Sequence, residues 1–283
     1  MVIDFHTHIL PPSFRAKREE LRRRDATFAA LFARENATMA TAEEMVEAMD
    51  ADGVEASVVL GYGWCDRDVA RRSNDYLLEA ANRFPGRIVP FCSVHPGWGD
   101  AALAEVERCA AQGAVGIGEL HPTSQRLDLA MAPSLDPLMA LAQRLGLPVL
   151  VHSSEPVGHA YSGKGDTTPA TLMGFITRYP GATIICAHWG GGLPFYGLMP
   201  EVKEALANVY FDTATSPFLY TQEVFPVAVR SVGATHVLFG SDYPLLRSKR
   251  VAEQAATSLE AQDAEAVLHG NAERLLRLPR MKG

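Results

Sequence analysis

The chain has 283 residues, 47% of them hydrophobic and 21% charged, with a formal net charge of -7. That length and balance support one large buried core and exclude the low-hydrophobicity, high-charge profile of a disordered chain. The acidic sum gives no general attraction to nucleic acid, and no apolar run approaches the length of a membrane span.

The chain opens without a basic region leading into an apolar stretch and a cleavage site, so no secretory signal is expected. The four cysteines, Cys65, Cys92, Cys109 and Cys186, are scattered without a CxxC pair. They read as reduced thiols of a cytoplasmic protein, not as a disulfide frame or a structural zinc site.

In chain order, the first strand candidate is "VIDF" at 2–5, running directly into His6, Thr7 and His8. The segment 11–40 follows. Its stretches "SFRAKREELRRR" and "ATFAALFARE" look helical, and glutamates interrupt the basic run Arg15 to Arg24, as on a solvated helix face. Thr41 and Glu44 then form a capping-box pattern for a helix ending near Gly53. Strand candidates recur at 55–61, 88–94, 114–120, 147–152, 182–188, 208–213 and 235–242. Amphipathic segments lie between them, including "SNDYLLEAANRFPG", which should stop before Pro85.

Eight strand–helix units point to a single-domain α/β chain, a (β/α)8 TIM barrel spanning 1–283. The strands read as continuous apolar runs, as when both faces are covered. A doubly wound sheet would carry a glycine-rich fingerprint after its first strand, and "HTHILPPS" has none. The insertion 11–40 leaves the C-terminal end of strand one, so it should sit over the barrel mouth as a lid, a dimer contact or both. A homodimer is therefore one expectation.

The polar residues fall at the strand ends. His6 and His8 share a face because side chains alternate along a strand. Strands four, five, six and eight end in Glu119, His152, His188 and Asp242. Barrels place their chemistry at this rim, and imidazoles with carboxylates suit zinc, manganese or iron, zinc being the first choice. Asp4 lies deeper on the face of His6 and His8 and reads as a partner supporting them.

The stretches "DFHTHILP", "VLVHSSEP", "ICAHWGG" and "LFGSDYP" resemble the amidohydrolase superfamily. More narrowly they are similar to the amidohydrolase-related group that includes aminocarboxymuconate-semialdehyde decarboxylase and several metal-dependent hydrolases. The resemblance runs from residue 2 to about residue 276. It implies a distorted barrel with one or two metal ions. By that resemblance His6, His8 and His152 bind metal, and Asp242 binds metal and handles the proton of the bound water. His188 is a second-metal ligand or a substrate-polarising residue. "GIGELHP" looks like the strand-four glutamate of TatD-like deoxyribonucleases, which makes Glu119 a candidate ligand bridging two ions, in a chain with no lysine between Lys17 and Lys164.

These parts lead to an expected metal-dependent hydrolase of an amide, lactone or ester, acting on a small substrate bearing a carboxylate. The alternative is a non-oxidative decarboxylase of an aromatic or muconate-type acid. A nuclease is disfavoured by the charge, and a non-catalytic barrel by the filled ligand positions. Substrate contacts are expected from the rim loops: Trp64 and Arg67 after strand two, and His159, Tyr161 and Lys164 after strand five. His121, Trp189 and Arg247, beside the strand ends, complete the set. Tyr62, in the loop of Trp64 and Arg67, is expected with them, and His95, like His121, precedes a proline as a pocket or turn residue, while His236 and His269 lie away from the rim.

Overall fold

A computed structural model describes residues 1–277. Its eight parallel strands are β1 (Ile3–Thr7), β2 (Ala56–Val59), β3 (Ile88–Pro90), β4 (Ile117–Leu120), β5 (Val149–Val151), β6 (Ile184–Cys186), β7 (Val209–Asp212) and β8 (Val237–Leu238). They follow one another around a (β/α)8 barrel as two arcs, β1 to β3 and β4 to β8. Cys92 bridges to Ile117 to join the arcs, and Thr7 bridges to Tyr243 to close the ring. Backbone bonds from Phe5 N to the Phe239 carbonyl (2.7 Å) and from His8 N to the Tyr243 carbonyl (2.7 Å) reinforce the closure.

Alternation within the strands sorts their side chains. Leu150, Ile185 and Leu238 pack with Phe5, Val58 and Phe91 in a cluster built mainly from strand residues. Their neighbours Val149, Val151, Ile184 and Cys186 face helix residues such as Leu138, Phe175 and Val251. The helix Ala42–Asp52 starts as its capping box requires. Thr41 N donates to Glu44 Oε2 at 2.8 Å, Glu44 N donates to Thr41 Oγ1 at 3.4 Å, and Gly53 closes the helix in the left-handed region.

The insertion after β1 folds into three short helices, Pro12–Ala16, Arg18–Arg24 and Ala26–Leu31. Phe14, Leu21, Phe28 and Phe32 bury against Trp64 and Val69. Buried Asp25 ties the insertion to the loop after β2: it caps Phe28 N (2.8 Å) and accepts from Cys65 N (2.7 Å) and Asp66 N (2.8 Å). Much of the basic run is paired, Arg15 with Glu44 and Arg24 with Asp66 and Asp68. Arg18 donates to the Arg34 carbonyl (2.7 Å) and the Ala37 carbonyl (3.0 Å), which pins the end of the insertion. Among the described residues no helix is long and apolar enough to cross a membrane, and the four cysteines are free.

Candidate metal centre

Six side chains from five strand ends converge at the C-terminal rim. His6 Nε2 lies 3.1 Å from His8 Nε2, and Asp242 Oδ1 lies 3.7 and 3.3 Å from those two nitrogens. Glu119 Oε2 is 3.8 Å from each. Its other oxygen accepts from His152 Nδ1 at 2.9 Å and lies 3.8 Å from His188 Nε2. Glu119 therefore belongs to both compact donor groups: one with His6 and His8, the other with His152 and His188.

A carboxylate and a backbone carbonyl set the orientations of the two β1 rings. His6 Nδ1 donates to Asp212 Oδ2 at 2.8 Å, and His8 Nδ1 donates to the Leu60 carbonyl at 3.2 Å. The Asp212 carboxylate favours a second proton on His6, at Nε2, which faces the His8 Nε2 lone pair at 3.1 Å. A divalent cation that displaces that proton would have both Nε2 atoms as donors, so the donor set fits such an ion. Asp212 Oδ1 also accepts from His188 N (2.9 Å) and Ala214 N (3.0 Å). His188 and Asp242 hold left-handed φ values of 53° and 69°. For non-glycine residues such backbone costs about 1–3 kcal/mol, and its place here marks a site the surrounding fold over-determines.

The charges balance around this ring. Burial works against ionised Glu119, yet His152, His6 and His188 hold its carboxyl well below the usual range. Asp242 is also lowered: burial opposes it, and the His8 hydrogen bond and the neighbouring imidazoles prevail. Burial would depress His6, but the charge and hydrogen bond of Asp212, with Glu119 and Asp242, lift it to about 10. His188 is lowered, first by burial and then by His152. Its Nδ1 contacts Thr215 Oγ1 (3.1 Å) and the Ala214 carbonyl (3.3 Å). Burial raises Tyr62 well above the ordinary phenol range, with Asp242 and Glu119 adding to it.

A cavity of about 550 Å³ opens over the ring. His8, Glu119, His152, His188 and Asp242 line its floor, and Phe32, Phe218, Leu219 and Leu245 give it apolar walls. His121, His159 and Tyr161 line it as expected. His121 stacks on His152 at 4.3 Å, and burial pushes it down to about 3. A second cavity, about 580 Å³, lies between Glu107, Leu145 and Leu276 and contains none of these donors.

The other expected substrate contacts do not line the cavity. Trp64 is fully buried beneath the insertion, against Phe14 and Phe28. Arg67 is the first residue of a helix, Arg67–Arg83, that begins earlier than its apolar pattern suggested because Asp66 caps it. Lys164 donates to the Val157 (2.8 Å) and His159 (3.1 Å) carbonyls and so staples its own loop. Trp189 is buried, donating to Ser216 Oγ at 2.7 Å. Arg247 forms a two-pronged pair with Asp52 at 2.9 and 2.7 Å, away from the cavity. Asp4 bonds to neither imidazole ring; it accepts from His6 N (3.3 Å), Ser241 N (3.0 Å) and Ser248 Oγ (2.7 Å). His95 accepts from Gly97 N (2.9 Å) in its own turn, outside the cavity.

Three contributors escaped the sequence reading. Asp212 ends β7, so the strand-end rule that found the other donors applied to it equally. Thr215, which touches His188, had no such signal. Arg34, from the end of the insertion, is the one Lys or Arg among the described cavity-lining residues.

A family model described as Amidohydrolase matches residues 3–278. The chain belongs to the amidohydrolase family. Gamma-resorcylate decarboxylase of Polaromonas sp. (strain JS666) is 25% identical over 279 residues, covering 84% of each chain. The 2-amino-3-carboxymuconate-6-semialdehyde decarboxylase of Dictyostelium discoideum is 23% identical over 248 residues, 75% of this chain and 67% of that one. Among solved structures, 5-carboxyvanillate decarboxylase from Sphingomonas paucimobilis has a TM-score of 0.80 at 16% identity, covering 98% of this chain and 99% of that one. A dihydroxybenzoic acid decarboxylase from Polaromonas sp. JS666, with bound manganese and the inhibitor 2-nitroresorcinol, has a TM-score of 0.76 at 21% identity, covering 99% and 98%. These two structures share the amidohydrolase barrel with this chain. The four proteins are decarboxylases by name, so the hydrolytic expectation finds no counterpart among them, and the ion named is manganese rather than zinc.

Proposed function

We propose that this chain is a divalent-metal-dependent, non-oxidative decarboxylase of a small aromatic acid. The observation that carries it is a rim donor cluster under an apolar cavity, in a chain whose curated relatives include gamma-resorcylate decarboxylases matched over 84% and 75% of its length. His6, His8, His152 and Asp242 would hold the ion, with Glu119 as a further ligand. Manganese or zinc suits these donors, and iron is a third choice. A bound divalent ion would draw electron density from the substrate oxygens as a Lewis acid.

The protein's own groups then have separate tasks. Phe32, Phe218 and Leu245 receive the ring, and Arg34 faces the negative charge of the acid. The insertion 11–40 serves as the roof that keeps water from the cavity. Thr215 and the Ala214 carbonyl hold His188 by Nδ1, leaving Nε2 to carry a proton to the ring carbon that bears the carboxylate. Burial and His152 lower His188, which makes its imidazolium a ready proton donor, and Asp242 partly offsets them. The carbon gains that proton, the bond to the carboxylate breaks, its electrons restore the ring, and CO2 leaves.

Glu119 supports a second reading, hydrolysis of an amide, lactone or ester, because it lies in both donor groups as a carboxylate bridging two ions would. The test is CO2 release from manganese-loaded protein supplied with hydroxylated benzoates. Wild type should release one CO2 per acid consumed, and Asp242→Asn should lower the rate by about 10²–10⁴-fold with the fold intact by circular dichroism. Hydrolysis of a lactone panel without CO2 release would replace the decarboxylase reading.

A further inference from the structure

The loop after β2 crosses the barrel mouth closely enough that a Cβ at Gly63 would meet His121 N at 2.6 Å and the Glu119 carbonyl at 2.9 Å. Only glycine allows that approach, which also uses a φ of 64°. The crossing sets the ring of Tyr62 flat on His8, with centroids 3.8 Å apart and planes within 14°. Phe32 meets it edge-on at 5.4 Å, and Trp64 packs at 5.4 Å on a third side. The phenol is thus immobilised at the cavity floor.

Its hydroxyl has no hydrogen-bond partner among the described residues. The other cavity-lining hydroxyls differ. Tyr161 donates to Glu155 Oε2 (3.1 Å) and Thr215 donates to the Ala214 carbonyl (2.7 Å), while Thr38 and Ser162 lie exposed at the mouth. Tyr62 therefore presents a fixed, uncommitted donor beside one of the imidazoles of the metal centre.

We propose that Tyr62 is a specificity-determining residue whose hydroxyl donates to a ring oxygen of the aromatic acid, next to the carbon that loses its carboxylate. This assignment rests on the decarboxylase reading. A donor aimed at the departing carboxylate would hold charge that the reaction must disperse, whereas a ring oxygen stays on the product. The contact is made before and after the chemical step, so it selects by binding.

Calorimetric titration of manganese-loaded wild type and Tyr62→Phe with benzoate and with 2-hydroxybenzoate tests the assignment. The phenylalanine keeps the stack on His8 and removes only the hydroxyl. Wild type should bind 2-hydroxybenzoate about tenfold more tightly than benzoate. Tyr62→Phe should bind the two alike and hold as much manganese as wild type. The assignment is overturned if wild type shows no preference, if Tyr62→Phe keeps it, or if Tyr62→Phe loses manganese, since the hydroxyl would then serve the centre rather than the ligand. A preference that vanishes in Tyr62→Phe while wild type releases no CO2 would refute the decarboxylase reading and leave the Tyr62 contact standing.

Discussion

The two halves of the donor ring are built differently. On the β1 side, His6 and His8 are locked from behind by Asp212 and the Leu60 carbonyl, and both Nε2 atoms turn inward. They are 0% and 1% exposed. On the β4–β6 side, His152 directs Nδ1 at Glu119 itself, and its other nitrogen has only a 3.4 Å contact with Ser154 Oγ. His152 and His188 are 7% and 5% exposed. One half is oriented by groups outside the ring, and the other by a bond within it. An ion can therefore enter the β1 half by displacing a proton without turning either ring, whereas in the other half it must replace the His152–Glu119 hydrogen bond.

The largest effect should come from breaking the preformed half. His8→Ala is expected to eliminate both metal uptake and turnover, while His152→Ala retains metal at reduced occupancy, measured by elemental analysis of folded protein. Equal loss in both variants would erase the contrast between the halves. Next in size, Asp212→Asn frees the His6 ring and should weaken metal affinity by about 10–100-fold, read from competition with a chelating dye. An unchanged affinity would mean that Asp212 serves only the backbone of His188 and Ala214.

Acidity gives a finer probe of the same half. With its pKa raised to about 10, His6 of the metal-free protein keeps its proton through neutral pH. An ion must displace that proton, so uptake should release it, and affinity should rise about tenfold per pH unit below that value. Metal titration in weakly buffered solution at several pH values measures both. A pH-independent affinity would show that His6 does not donate to the ion.

The donor ring was legible because a parallel strand fixes which residues reach the rim and which face they share. Asp212 obeyed that rule at the end of β7 and was passed over, although its carboxylate orients His6. The loops offered no such rule. Arg67 was lost to the site because Asp66 caps a helix before the apolar pattern begins. Arg247 was lost because Asp52, nearly two hundred residues away in sequence, claims its guanidinium. Arg34 reached the cavity through the packing of an insertion whose end Arg18 pins. Such pairings depend on distant chain segments meeting, which strand periodicity does not encode. The hydrolase expectation drew on metal-activated water with Asp242 and His188, and Glu119 tipped it over the decarboxylase, although a carboxylate shared by two donor groups is compatible with more than one chemistry.

His6 and His8 form a preformed metal clamp in the proposed centre. Anomalous diffraction from a crystal of the manganese-loaded protein tests it most directly. A peak is expected at about 2.1 Å from Nε2 of both histidines, with Asp242 alongside. Full occupancy elsewhere, with those two nitrogens bare, would contradict it.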